Sequence, residues 1–442
     1  MSTGTVAQLL ARHAVERCDA VWTPECAAAV DNAVVDWFGI TIAGSHTVIA
    51  RALAEGHAET TGTGSRLFGT GRRAAPAVAA LVNGTSAHAL ELDDIYAPGL
   101  FHPGAPIIAA AFAVADRLGS TVGEWKRAVE IGYEVGCRVA RDLGPTHYAH
   151  WHTTGTAGAI GSAAAVSVLL GLPAERFAHA LSLAATMSAG LQQTFRSDAM
   201  GKPLHSGNAA HGGVIAATAA AGGVTGAPDV FEGPAGLATA TGTTTSWEYS
   251  RVPFEGPRAI EQITVKPYPC CGHAFAPIDA AIRLHAKGIN IAEITAIEVR
   301  TYSAALAVAG ISAPRTESER RFSIPFTVAR ALVDGALGEA GFAASAPAID
   351  ALAAHVAIVV DPEFEAVFPE RRGACITVIT ASGQRWVERV SDRPGSPQNP
   401  LTPAAIDAKF LTAAAPTLGE RAHDALRGLR GGTAALSELL VV

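Results

Sequence analysis

Residues 153–174 read TTGTAGAIGSAAAVSVLLGLPA, a run without one charged side chain. Such a run is nearly long enough to cross a bilayer, which takes about 20 apolar residues. Its composition argues against that. Glycine, alanine, serine and threonine gain little from lipid, whereas their small side chains let neighbouring helices approach closely. The stretch is expected to be a central helix covered by protein on every side, with no membrane as partner. A helix buried all round needs other helices to bury it, so the fold is read outward from here as helical.

Upstream, Thr23-Pro24-Glu25 is a helix start: a capping hydroxyl, a proline at the first helical position, then an acid near the positive helix end. That helix is expected to stop near Gly44. Further helices fit Ala105–Leu118, Val122–Arg141, Gly155–Leu170, Pro173–Leu191 and Asn208–Ala220. An Ala-rich stretch from Arg72 to Leu92 reads as two helices broken at Asn83-Gly84. The character changes after Pro257. IEVRTYS (297–303), HVAIVVD (355–361), ACITVITA (374–381) and QRWVERVS (384–391) read as strands. Ser382-Gly383 is a hairpin turn between the last two, with helical stretches at Ala274–Lys287 and Ile324–Leu337. The expected fold is mainly α with an α+β part. Residues 1–262 and 400–442 form a large all-helical domain, and 263–399 a smaller α/β domain inserted before a helical tail.

Bulk composition narrows the function. The chain has 442 residues, so a prior of about 150 residues per domain suggests two or three domains. Hydrophobic residues make up 49%, enough for a large core. A net charge of −7 argues against nucleic acid as a partner. Six cysteines are scattered apart from the pair Cys270-Cys271, so no disulfide framework is expected and a reducing cytoplasm fits. The N-terminal MSTGTVAQLLARHAVERC has no basic stretch followed by an apolar one, so a signal peptide is not expected. Gly69-Thr70-Gly71-Arg72-Arg73-Ala74 matches a dinucleotide-loop pattern, but no strand–helix–strand alternation surrounds it.

Four segments carry candidate chemistry. In AHALELDDIYAPGLFHPGAP (87–106), Glu91, Asp93 and Asp94 sit at a helix end and His102 follows a loop. A histidine beside acids suits proton transfer, because its charge changes near neutral pH. The segment THYAHWHTTGTAG (146–158) brings three histidines close to hydroxyls and glycines. No metal-ligand spacing of the H-E-x-x-H or Cys/His finger kind is present there, and the glycines and threonines suit a helix N-terminus, which favours anions. In SDAMGKPLHSGNAAHGG (197–213), Lys202 and His205 lie just before a helix. A cation at a helix start opposes the macrodipole unless an anionic ligand sits between them. TVKPYPCCGHAFAPIDAA (264–281) places Lys266 at the domain junction, with Cys270, Cys271 and His273 after it. Adjacent cysteines fit one tetrahedral metal site poorly, while Cys271 beside His273 is a candidate thiolate.

In this order, the segments DWFGITIAGS, NGTSAHALELDD, HWHTTGTAGAIGSAAA, GKPLHSGNAAHGGV and KPYPCCGHAFAPIDA resemble the MmgE/PrpD family of 2-methylcitrate dehydratases, cis-aconitate decarboxylases and iminodisuccinate epimerases. The resemblance runs from about residue 5 to about 440. It implies a helical domain with a smaller α/β lid, a homodimer, and no metal or organic cofactor. It also implies a pocket holding His102, His152, Lys202 and Lys266 as catalytic groups. Tyr148 matches, one residue offset, a tyrosine proposed as acid/base in the epimerases. Glu91, Asp93, His205 and His273 are placed around the substrate, with Phe326 near a position that is tyrosine in the decarboxylases. Two departures bear on specificity: Glu91 stands where the dehydratases and decarboxylases carry aspartate, and Ile95 where they carry threonine. Lost hydroxyls mean lost hydrogen bonds to a polar substrate.

The expected activity is a cofactor-independent lyase, a dehydratase or decarboxylase, acting on a small di- or tricarboxylate by His/Lys acid–base catalysis. Alternatives are an epimerase or isomerase of an amino- or imino-dicarboxylate, a non-catalytic carboxylate-binding protein, and a metalloenzyme using Cys270, Cys271 and His273.

Overall fold

The computed structural model describes residues 4–57, 64–196, 199–343, 346–431 and 434–439. The chain forms two compact units, Met1–Val265 with Thr402–Val442, and Lys266–Leu401. The first is helical and the second is a small sheet with helices, the mainly α plus α/β class that the sequence suggests.

Among the described residues, the N-terminal part of the first unit is built of α1 (Val6–Arg17), α2 (Pro24–Gly44), α3 (Val48–His57), α4 (Pro76–His88), α5 (Gly104–Leu118), α6 (Val122–Tyr148), α7 (Thr153–Leu169), α8 (Ala174–Thr186) and α9 (Gly201–Ala221). Their starts are written in the sequence. Thr5 with Gln8 and Thr121 with Glu124 form capping boxes, and the Thr23 hydroxyl accepts the Cys26 N–H at 3.2 Å ahead of Pro24. The uncharged run is α7, buried continuously from Thr153 to Ser167 and packed against α5, α6, α8 and α9. Its glycines permit that closeness. A methyl group on Gly161 would lie 2.6 Å from Ile107 Cδ1 and 2.9 Å from the Gly132 carbonyl oxygen. Beside this small-residue centre, Trp37, Phe38, Phe68, Phe112 and Trp125 form an aromatic core, with Phe38 and Phe68 centroids 4.7 Å apart.

α2 is long and apolar enough to cross a membrane, yet 67% of its most apolar window is buried among other helices. One of its acids, Asp36, pairs with Lys409 at 2.6 Å. Lys409 belongs to the helix Pro403–Leu418, which packs along α2 and returns the C-terminal part of the chain to the first unit.

Three expectations are corrected here. Residues 72–92 do not hold two helices broken at Asn83-Gly84. α4 is unbroken, because the Asn83 side chain accepts the Phe68 N–H and donates to the Arg66 carbonyl, while Gly84 lets α9 approach. α6 continues past Arg141 to Tyr148 through a kink at Gly144-Pro145, where Gly144 takes φ 63°. α9 begins at Gly201, so Lys202 and His205 lie within its first turns instead of ahead of it. Pro203 is tolerated there because first-turn N–H groups have no helical partner to lose. Ser197 and Asp198 of the same segment lie outside the described residues.

In the second unit, beside a separate short pair β1 (Ser65–Arg66) and β2 (Arg73–Ala74) in the first, the sheet comprises β3 (Ile294–Thr301), β4 (Val356–Val360), β5 (Ala374–Thr380) and β6 (Arg385–Val390) in the order β4-β3-β5-β6. β3 runs parallel to β4 and antiparallel to β5, with Val299 opposite Ile358 and Ile376. Gly383, at φ 79°, closes the β5–β6 hairpin by donating to the Thr380 carbonyl at 2.9 Å. Ile297, Val299, Ile376 and Val378 form a core with Phe275 and Ile278 of the helix Phe275–Ala286, and with Phe326 and Leu332 of the helix Ile324–Asp334.

Candidate active site

Four imidazoles lie in a bent file inside the helical unit, with the ring centroids of His102 and His152 themselves 6.5 Å apart. His88 closes α4, His102 stands two residues before α5, His152 is the N-cap of α7, and His205 sits near the start of α9. Successive centroids are 4.9 Å apart for His102 and His88, 5.6 Å for His88 and His152, and 5.4 Å for His152 and His205. His88 and His152 are stacked, with their planes 26° apart.

Local structure explains each placement. After His88 the chain leaves the helix, and Glu91 turns it with φ 56°. The acids therefore lie beyond the helix end, in an irregular turn. Ile95 then exchanges backbone hydrogen bonds with Thr264, its N–H donating at 2.9 Å and its carbonyl accepting at 2.7 Å. Tyr96 and Phe101 pair across a tight loop that delivers His102, whose N–H donates to Thr154 Oγ1 at 3.2 Å. His152 is held by its own N–H on the Gly190 carbonyl at 2.8 Å.

At one end of the file is Asp93, buried at 1% exposure. Its Oδ2 lies 2.6 Å from His88 Nδ1 and 3.4 Å from His102 Nδ1. His102 Nδ1 also lies 2.9 Å from the Asp94 carbonyl oxygen. A carbonyl only accepts, so His102 Nδ1 carries the hydrogen and, in the neutral ring, Nε2 carries the lone pair. The same logic puts the His88 hydrogen on Nδ1, leaving His88 Nε2 buried with no hydrogen-bond partner. Next to it, Asp94 accepts from Tyr133 Oη at 2.7 Å and Gly104 N–H at 2.9 Å, and burial pushes its carboxyl up to about 7.

At the other end, His152 Nδ1 lies 3.3 Å from His205 Nδ1, and Phe195 meets His152 edge-on with centroids 4.9 Å apart. Lys202 stands over the Phe195 ring at 5.6 Å and pairs with Glu91. Burial, then the neighbouring His88, Lys202, His102 and His205, hold His152 well below the usual histidine range, so it is neutral. His205 is lowered for similar reasons, burial first.

Of the residues singled out from sequence, His102, His152, Lys202, His205, Glu91 and Asp93 are joined in this one cluster. Tyr148 is half-buried at the end of α6. Its neighbour His147 is buried, with Nε2 2.8 Å from Thr156 Oγ1. Lys266, His273 and Phe326 belong to the second unit. Lys266 is 1% exposed, His273 Nδ1 lies 2.8 Å from Tyr302 Oη, and Phe326 is a core residue packed on Phe342. Sequence reasoning missed His88 and Phe195. His88 stood inside the quoted AHALELDD motif, where its five-residue spacing to Asp93 was the available signal. Phe195 carried none.

Among the described residues, the metal-spaced group is His88, Asp93 and His102, with donor atoms within 4.8 Å of one another. The direct His88–Asp93 contact would have to open to admit an ion. Cys270, Cys271 and His273 form no such group among the described residues. Both cysteines pack into the apolar core of the second unit.

Comparison with known proteins identifies the family. The MmgE/PrpD N-terminal domain matches residues 6–250, and the MmgE/PrpD C-terminal domain matches residues 268–429. Cis-aconitate decarboxylase of Aspergillus terreus (strain NIH 2624 / FGSC A1156) is 26% identical over 238 residues, 50% of this chain and 48% of that protein. The Homo sapiens cis-aconitate decarboxylase is 32% identical over 178 residues, 37% of this chain and 35% of that protein. Alkylcitrate dehydratase phiI of Fungal sp. (strain ATCC 74256) is 28% identical over 272 residues, 57% of this chain and 53% of that protein. The chain spans about half or less of the length of these curated relatives. Both domains of one family match in order and between them take in every segment that builds the imidazole file, so the chain belongs to the MmgE/PrpD family.

Proposed function

We propose that the protein is a cofactor-independent lyase that dehydrates or decarboxylates a small di- or tricarboxylate. The observation that carries this reading is the file of four imidazoles between a carboxylate and an ammonium group. The relatives' names, a decarboxylase of cis-aconitate and a dehydratase of an alkylcitrate, support a lyase acting on a tricarboxylate.

His102, with its Nδ1–H held by the Asp94 carbonyl and Asp93, offers Nε2 as the base. His152, neutral through burial, stands with its ring centroid 6.5 Å away as its counterpart. In dehydration the base takes the proton beside the carboxylate, the carbon–hydrogen pair forms the double bond, and the departing hydroxyl takes a proton and leaves as water. In decarboxylation the pair of the broken carbon–carboxyl bond stays on carbon as carbon dioxide leaves, and is quenched by a proton that His102 Nε2 has first taken up from solvent. Lys202 stabilises the enolate-like charge in either case. In the structure Glu91 occupies that ammonium, so a substrate carboxylate shares it or displaces Glu91.

Screening small di- and tricarboxylates in deuterated water by NMR tests the reading. Loss of water or carbon dioxide from one of them is expected. Lys202→Ala should abolish it while circular dichroism stays unchanged. Near-wild-type turnover by that variant sinks the assignment. Deuterium uptake without elimination identifies an epimerase or isomerase, and tight binding with neither identifies a carboxylate-binding protein.

A further inference from the structure

Among the buried arginines of the second unit are Arg372 and Arg393, both outside the chemistry above. Arg372 is 9% exposed and Arg393 is 3% exposed. Arg372 has its guanidinium 5.4 Å from the Phe368 ring centroid. Its Nε is buried without a hydrogen-bond partner, and among the described residues no side chain or carbonyl pairs with it. Phe368 stacks on Tyr302 with centroids 4.6 Å apart and planes at 17°, and Tyr302 Oη lies 2.8 Å from His273 Nδ1. Arg393 closes the group, with Nη1 3.5 Å from the carbonyl oxygen of Gly272, the residue before His273. The two guanidinium charges reach each other and His273. Burial, then Arg372, brings Arg393 down to about 9, and burial, then both arginines, brings His273 down to about 3.

A buried guanidinium without a counter-charge is costly. A guanidinium always stays charged, so it cannot escape by giving up its proton. Phe368 offers it an aromatic ring and no acceptor, which leaves its buried Nε–H to donate. The edge bearing that N–H matches two oxygens of a carboxylate or phosphate.

We propose that Arg372, with Arg393, His273 and Tyr302, forms a buried recognition site in the second unit for a small oxyanion, a carboxylate or phosphate group. This stands independently of the chemistry assigned to the helical unit. Thermal unfolding of the whole chain in anion-poor buffer tests it, with inorganic phosphate or the inert tricarboxylate tricarballylate added in separate arms. The wild-type melting temperature should rise with at least one of them, and the arm that responds names the anion. Arg372→Met should start above wild type without anion, because an uncompensated charge is gone, and should not respond. Arg372→Lys keeps the charge and loses the fork. It should need about tenfold more anion, and it carries the test if the methionine variant does not fold. Lys202→Ala should keep the phosphate response if that is the responding arm. An unresponsive wild type overturns the proposal, as does a wild-type response in either Arg372 variant. A phosphate response lost in Lys202→Ala also overturns it, since the anion then sits in the helical unit.

Discussion

Asp93 Oδ2 lies 2.6 Å from His88 Nδ1 and 3.4 Å from His102 Nδ1, so one carboxylate sets the orientation of two rings. An ionised carboxylate accepts only, and both Nδ1 atoms therefore carry hydrogen. Asparagine has nearly the same volume but presents an amide donor on one side. Asp93→Asn should leave the fold intact and let one ring turn over to its other tautomer. A fall in kcat of about 10²–10⁴-fold with little change in KM is expected, measured on the substrate found by NMR. An unaltered kcat would mean that Asp93 is only a packing group. His88 itself was legible as a residue but not as a participant. Five residues separate it from Asp93 in sequence, and only the turn at Glu91 brings the two side chains together.

Helix contacts decide where the reactive groups stand. α4 carries His88 and α9 carries Lys202 and His205, and the two helices touch through glycine. A methyl group on Gly84 would lie 3.2 Å from Gly207 Cα, and one on Gly207 would collide with the Leu81 carbonyl and Thr85 Oγ1. Gly207→Ala should thus push α9 off α4. An unfolding cost of about 1–3 kcal/mol is expected, together with reduced turnover, since His205 and Lys202 shift relative to His88. Denaturant unfolding and steady-state kinetics on one preparation check both. Full stability in that variant would show that α9 can slide freely. At this scale the start of α2 was readable from Thr23-Pro24, because capping is local chemistry. The start of α9 was misread because a lysine before an Ala/Gly run looks like an approach to a helix and not its first turn. The kink at Gly144-Pro145 was passed over because glycine and proline usually end a helix.

For the molecule as a whole, the buried histidines govern acid stability. Burial lowers His147 to about 4 and, with neighbouring positive groups, holds His152 well below 6.5. Each is neutral when folded, while the unfolded chain takes up protons below about pH 6.5. Stability tied to these rings is therefore present above that pH and lost as pH falls through it, by up to about 1.4 kcal/mol per pH unit for each ring. Asp94, pushed up to about 7, acts in the opposite sense, since its folded form keeps a proton that the unfolded carboxyl releases above about pH 4. Burial raises Glu130, Asp142 and Glu261 in the same sense as Asp94, but among the described residues the lowered histidines outnumber these four, with His13, His205, His211 and His273 in the same class as His147 and His152. The melting temperature should fall steadily from pH 7 to pH 5. A flat or rising profile over that range would contradict neutral buried imidazoles.

The sequence by itself determined the fold class and most helices, because hydrophobic period, small-residue runs and caps act over a few residues along the chain. It also pointed to the segments that cluster in the candidate site, since His102, His152, Lys202 and His205 each sit in a short recognisable stretch. Only the tertiary structure decided that His88 touches both His102 and His152, that Asp93 serves two rings, and that Glu91 occupies Lys202. Those contacts join residues 5 to 111 positions apart. Their distances are set by how closely α4, α5, α7 and α9 pack, which depends on every side chain between them and not on any one motif.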